Sequence, residues 1–385
     1  MAKFPKKLQQ KLQERKENNA LRSLPFEENL VDFSSNDYLG FANNETIYAN
    51  TFQLSLKKNI SQNGATGSRL LSGNHNLYAE LERQLTKFHK TESALVFNSG
   101  YDANIGFFSA VPQRGDVVFY DEYIHASIRD GIKMGNAKSY KFKHNDLGDL
   151  KSKCQAERSR NPNETEIYIV TESVFSMDGD SPDLKKFADF CASEGFHFIV
   201  DEAHAIGVLG KNGKGIVQDL GLEKQILARI ITFGKALGCH GAAILGGEQL
   251  KHYLVNFARS FIYTTGLPPH SVATILSSYA YLEIPDVEDQ GKYLRDNISL
   301  FRSKIQSLEI AKYFVPSDSA IHCCMISGND KVKSVSKKLN DKGFDVKAIL
   351  SPTVPEGEER LRFCLHSFNS PDEIGLVLQL LKSYL

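Results

Sequence analysis

With 385 residues, 41% hydrophobic and 24% charged, the chain is long enough for a large domain plus a smaller one and has the composition of a soluble globular protein. Lys+Arg and Asp+Glu are both 46, so the formal net charge is +0 and no global basic field draws the protein to nucleic acid or anionic lipid. No apolar run approaches the ~18–20 residues of a membrane span, and the opening residues lack a signal-peptide core, so a cytoplasmic location and no membrane partner are expected. The opening stretch, 3–16, is locally basic, and Leu8 and Leu12 stand four apart, which predicts an amphipathic helix.

From about Glu92 short apolar runs alternate with helix-like stretches. A strand is predicted over 94–97, a turn at Asn98-Ser99-Gly100 and a helix over 101–108. A second strand over 116–120 leads into a helix near His125. Further strands are predicted at 166–171, 196–200 and 228–232, with a helix over 183–194 between them. Strands alternating with helices predict an α/β fold with a mainly parallel sheet covered on both faces. Four glycines in nine positions, Gly207 to Gly215, mark the tightest turn region. After about Asp286 a charged helical stretch precedes strand signals at 320–326, 344–350 and 360–365, with helices at 331–342 and 371–384. The expected organisation is an N-terminal helix and segment (1–45), a large domain (46–285) and a smaller C-terminal α/β domain (286–385).

The polar residues cluster just after the strands: Ser99-Gly100, His125, Glu172 with Ser176, Asp201 with His204, and Thr232 with Lys235. In open α/β sheets ligands bind outside the carboxyl ends of the strands, so all five clusters are expected to face one crevice. Alone, Lys235 reads as a surface lysine and Asp201 as a helix N-cap. Together, a strand ending in Asp201-Glu202-Ala203-His204 and another ending in Thr232-Phe233-Gly234-Lys235 are what a pyridoxal phosphate (PLP) enzyme needs. The lysine forms a Schiff base with the cofactor aldehyde, and the aspartate keeps the pyridine nitrogen protonated.

Other chemistries fail on spacing. Gly234-x-x-x-Gly238-x-x-Gly241 is not a dinucleotide fingerprint, and Gly213-Lys214-Gly215 lacks the flanking residues of a P-loop. The six cysteines show neither C-x-x-C nor zinc-site spacing, so no metal is expected. Cys191, Cys323, Cys324 and Cys364 lie in apolar surroundings and read as small core residues of a protein in a reducing compartment.

In this order the motifs resemble the α-oxoamine synthases, a fold-type I PLP-dependent transferase family, over essentially the whole chain. They are Ser34-Ser35-Asn36-Asp37-Tyr38-Leu39-Gly40, Gly67-Ser68-Arg69, Asn98-Ser99-Gly100-Tyr101, His125-Ala126-Ser127, His144-Asn145-Asp146, residues 172–180, Asp201 to His204, and Thr232 to Lys235. The resemblance implies that Lys235 carries PLP and serves as the base at the substrate Cα. It assigns the pyridinium nitrogen to Asp201, the phenolic oxygen to His204 and the ring face to His125. Ser99, Gly100, Tyr101 and Thr232 fall to the phosphate, and Ser176 to a further cofactor contact with Glu172 behind it. Thr264 or Thr265 matches a threonine that reaches the phosphate of the other protomer, which implies a homodimer with shared active sites.

Ser351-Pro352-Thr353-Val354-Pro355-Glu356-Gly357, followed by Arg360-Leu361-Arg362, resembles the branch that condenses L-alanine with a pimeloyl thioester. A sister branch, glycine C-acetyltransferase, shares the cofactor machinery. Arg362 matches the arginine for the amino-acid carboxylate, with Arg360 two residues away on the same strand face. Arg22 matches an arginine for the acyl substrate, and Asn36 and Thr353 fall on the substrate side as well. Whether the acyl carrier is coenzyme A or an acyl carrier protein is open at this point.

Overall fold

Seven strands build the central sheet: β1 (Ser93–Phe97), β2 (Val117–Asp121), β3 (Lys138–Phe142), β4 (Ile167–Glu172), β5 (His197–Asp201), β6 (Ala228–Thr232) and β7 (Ala242–Gly246). The structure is a computed structural model that describes residues 4–22, 24, 29–160, 165–284 and 290–385. It divides into two compact units, one of Asn36–Ser176 with Asp180–Gly291, the other of Met1–Ser35, Met177–Gly179 and Lys292–Leu385. The expected boundary at 285/286 and the start of the opening basic stretch at Lys3 lie outside the described residues.

In the larger unit the strand order is β1-β7-β6-β5-β4-β2-β3. β2, β3, β4, β5 and β6 pair in parallel, and only β7 runs against its neighbours β1 and β6. All of β1, β4 and most of β5 and β6 is buried, which is why they read as continuous apolar runs. Successive residues feed opposite faces. Ile199 joins Leu95, Phe107, Ile128 and Ile230 in one core, while Phe198 and Val200 join Phe119, Ile169 and Phe187 in the other. Helices Gly100–Ala110 and Ala126–Met134 cover the first face, and Leu147–Arg160 and Leu184–Glu194 the second.

Two strands of this sheet went unforeseen. β3 is an edge strand whose first four residues are exposed, and its lysines break the apolar signal while protecting the edge. β7, Ala-Ala-Ile-Leu-Gly, is built from small residues that disfavour strands intrinsically, and burial between β1 and β6 overrides that preference.

Behind β5, Glu202 is fully buried and paired with Arg229, whose Nε lies 2.8 Å from Oε2. Arg229 also donates to the carbonyl oxygens of His89 and Lys214, and Glu202 Oε1 accepts from Val217 N at 3.0 Å. The pair thus pins the glycine turn: a Cβ on Gly215, whose φ is 89°, would come within 2.7 Å of Glu202 Oε2.

The smaller unit carries a three-stranded antiparallel sheet of β8 (Ile321–Met325), β9 (Lys347–Ile349) and β10 (Arg360–Cys364), ordered β9-β10-β8. Helices Asn329–Asn340 and Pro371–Tyr384 belong to it. The single strand expected over 344–350 is two: Phe344–Asp345 pairs in parallel with Val31–Asp32 before β9 begins. The opening helix, Lys6–Glu17, buries none of its residues, and Leu8 and Leu12 are about half exposed among the described residues.

Glu202→Ala should leave the Arg229 charge buried without its partner. We expect a loss of about 3–5 kcal/mol in urea unfolding; a loss below about 1 kcal/mol, the range of a surface pair, would contradict this role.

Candidate active site

Because β1, β2, β4, β5 and β6 point the same way, the residues that end them share one edge of the sheet. Glu172, Asp201 and Thr232 are the last residues of β4, β5 and β6. Ser99 caps the helix that follows β1, and His125 caps the helix that follows β2. Lys235 stands three residues past β6 and is half-buried.

Asp201 is 5% exposed, with Oδ1 accepting from Ala203 N and Oδ2 from Asn104 Nδ2, each at 2.9 Å. His125 Nδ1 accepts from Ser127 N at 3.2 Å and lies 2.7 Å from Ser127 Oγ. The His125 backbone N–H donates to Glu172 Oε1 at 2.5 Å. Burial lowers the His125 pKa; Asp201 acts against that shift, and the positive charges of Lys235 and Arg129 act with it. Burial pushes the Glu172 pKa well up and Asp201 pushes further, while Lys235 and the His125 N–H hold it back. These mutual effects place Lys235, Asp201, His125 and Glu172 in one electrostatic neighbourhood. Tyr38 Oη is 2.7 Å from His204 Nδ1 and donates to Asn36 Oδ1 at 3.0 Å.

Ser99 Oγ accepts from Asp102 N at 3.0 Å, so the hydroxyl caps its helix. Thr232 Oγ1 donates to Gly241 O at 3.1 Å, and a Cβ on Gly100 would lie 3.8 Å from it, so Thr232 and the start of that helix are neighbours. Tyr101 Oη donates to Asp130 at 2.9 Å. Asn98 Nδ2 donates to Thr264 Oγ1 at 3.0 Å and to Thr265 O at 2.5 Å. Thr265 itself is exposed, and Ser176 is half-buried.

In the smaller unit Arg22 Nη2 donates to Thr353 Oγ1 at 3.2 Å, bringing two substrate candidates together. The two arginines of β10 separate by their neighbours. Arg360 is ion-paired with buried Asp178 and also donates to Met177 O and Glu358 O. Arg362 is 8% exposed and stands opposite Cys323 and Lys347.

Residues 28–378 match the family of aminotransferases class I and II. The chain belongs to this family. It is 38% identical over 373 residues to an 8-amino-7-oxononanoate synthase of Emericella nidulans, across 92% of this chain and 89% of that protein. Serine palmitoyltransferase from S. paucimobilis, solved with a PLP–myriocin adduct, superposes with a TM-score of 0.87 at 26% identity, covering 98% of this chain and 96% of that one. The 8-amino-7-oxononanoate synthase of Francisella tularensis gives a TM-score of 0.75 at 30% identity, covering 92% and 97%. These relatives are α-oxoamine synthases, and this member of the family has their fold-type I architecture.

Sequence reasoning missed Asn104 and gave no role to Ser127 and Tyr38, which it named only within motifs. The readable signal for Asn104 is a single amide among Ala103, Phe107 and Phe108 on the buried face of its helix. A second polar node stands beside the same strand ends. His144 Nδ1 lies 2.9 Å from Asp121 Oδ1, and Nε2 lies 2.8 Å from Asp180 Oδ2. Burial alone would lower its pKa, but the two carboxylates outweigh burial and raise it to about 10.

A histidine whose folded pKa is raised stabilises fully below its unfolded value near 6.5, and that stability fades as pH climbs through about 10. The Tm deficit of His144→Gln should therefore be largest near pH 6 and nearly gone by about pH 10. A deficit independent of pH in thermal scans would show that packing, not charge, makes the node.

Proposed function

We propose that the protein catalyses the 8-amino-7-oxononanoate synthase reaction with PLP as cofactor. In it the Cα of L-alanine bonds to the carbonyl carbon of a pimeloyl thioester, and the thiol carrier and the alanine carboxyl group, as carbon dioxide, leave. The observation that carries this reading is the convergence of Lys235, Asp201 and His125 at one sheet edge, in a chain 38% identical to a synthase of that name. Structural likeness alone favours serine palmitoyltransferase, at 0.87 against 0.75, but the shared fold does not select the acyl chain, and sequence identity ranks the other way.

The residues present fit PLP. Asp201 holds two N–H donors on a carboxylate that has about four acceptor positions, so it can take a third donor from a protonated ring nitrogen. The helix opening at Gly100 has a side-chain cap only on Asp102 N, leaving first-turn N–H groups for a phosphate beside Thr232. When bound, the cofactor supplies an electron sink for the charge that develops on the amino-acid Cα.

The chain's own residues then divide the work. Lys235 holds the cofactor and its Nζ takes the proton from the alanine Cα. Asp201 keeps the ring nitrogen protonated, His204 addresses the phenolic oxygen and His125 the ring face. Gly100, Tyr101 and Thr232 take the phosphate with Ser99 as cap, and Ser176 adds a cofactor contact. Arg362 takes the alanine carboxylate as a planar fork, the role its place in the family motif gives it. Arg22 with Thr353, and Asn36, face the acyl substrate.

We place the enzyme in the cytoplasm as a homodimer. The described cysteines are all unpaired, which suits a reducing compartment, and no helix among the described residues is long and apolar enough to cross a membrane. Tyr48, Phe52 and Leu56 are exposed four apart on the helix Glu45–Lys57, with Leu71 and Tyr263 also exposed in the same unit. Such an apolar surface suits a second copy. Thr264 or Thr265 reaches the other protomer's phosphate, and Thr265 is the more exposed of the two.

Thiol release by the PLP-loaded protein tests the reading. Pimeloyl-CoA with L-alanine should outpace both acetyl-CoA with glycine and palmitoyl-CoA with L-serine. Faster release from either of those pairs moves the protein to a sister reaction. Lys235→Ala should abolish turnover in a protein that keeps its oligomeric state, and normal turnover would sink the assignment. Arg362→Ala should weaken alanine binding by roughly 2–4 kcal/mol, whereas unchanged alanine affinity would remove Arg362 from the substrate site.

A further inference from the structure

Asn104 is 2% exposed on the apolar face of the helix Gly100–Ala110. A buried amide is unfavourable unless its polar groups are used. Its Nδ2 serves two acceptors, Asp201 Oδ2 at 2.9 Å and Ser127 Oγ at 3.0 Å, while its buried Oδ1 has no hydrogen-bond partner among the described residues. The orphaned oxygen shows which end of the amide the site requires. Turned over, the amide would set its carbonyl against the Asp201 carboxylate.

The direction of the next link follows. Ser127 Oγ accepts from Asn104 and keeps its own proton to give to its other neighbour, His125 Nδ1 at 2.7 Å. The Ser127 backbone N–H donates to the same nitrogen at 3.2 Å. With two donors on Nδ1, the ring proton belongs on Nε2.

We propose that Asn104 and Ser127 are positioning residues that form one directional relay. The Asn104 amide holds Asp201 as an acceptor on one side, and through Ser127 fixes His125 as the Nε2–H tautomer on the other. The proposal rests on the reading that Asp201 and His125 meet the cofactor ring. It explains how one small group satisfies both demands of that ring. A protonated ring nitrogen needs an anionic partner, and the side chain against the ring face must not add a second positive charge. The relay makes both choices before a cofactor arrives, so neither group reorganises during reaction.

The test uses histidine labelled with 15N in the cofactor-free protein, where ring nitrogen shifts report the tautomer directly. His125→Gln assigns the signal by its loss. The wild type should show His125 with the proton on Nε2 and Nδ1 unprotonated. Asn104→Asp inverts the relay: its carboxylate takes the Ser127 proton, Ser127 Oγ must then accept from His125, and Nδ1 should become protonated. Ser127→Ala leaves only the longer backbone N–H on Nδ1, so the Nδ1 resonance should shift and the Nδ1–H tautomer should appear beside the Nε2–H one. In the loaded protein Asn104→Asp should bind PLP at least about ten-fold more weakly.

A wild-type His125 protonated on Nδ1 overturns the proposal. So does a folded Asn104→Asp protein with an unchanged His125 signal, or a Ser127→Ala protein with an unshifted Nδ1. If the nitrogen shifts come out as expected yet the wild type takes up no PLP, the relay stands and the cofactor reading falls.

Discussion

Six strands of one sheet run in the same direction, so each chain reversal beyond them leaves its polar residues along a single edge. A parallel sheet covered on both faces has little room for polar groups along its strands, since a buried polar atom without a partner is unfavourable. The strand ends are where such atoms can be placed and paired. Asp201, Glu172 and Thr232 each terminate a mostly apolar strand, and Lys235 follows three residues after Thr232.

Electrostatics then sorts the acids at that edge. Glu172 is buried beside Asp201, and burial with that neighbouring charge drives its pKa well up. Asp201 is the carboxylate that collects two N–H donors. The two acids thus differ in setting: burial and a neighbouring acid disfavour charge on Glu172, while Asp201 is furnished with donors. Asn104 reinforces the division by giving its amide hydrogens to Asp201 and to the serine beneath His125.

Much of this was legible in the sequence, for a physical reason. Buried parallel strands are apolar throughout, so their ends show where polarity resumes, and Asp201 and Lys235 appear at those changes. β3 and β7 escaped because edge lysines and small residues carry no such contrast. The relay was invisible because Asn104 and Ser127 look like ordinary helix residues until their neighbours from other strands are known. Arg360 and Arg362 share a strand face, and the ion pair of Arg360 with Asp178, far off in sequence, leaves no trace in the strand pattern. Leu8 and Leu12 show the converse: a periodic stripe predicted the helix, but periodicity does not say what covers it.

The central claim is that this edge holds PLP through Lys235. Borohydride reduction of the PLP-loaded protein, followed by proteolysis and mass spectrometry, tests it most directly. The account predicts one phosphopyridoxyl group per chain, on the peptide containing Lys235. A group found on another lysine, or spread over several surface lysines, would contradict it.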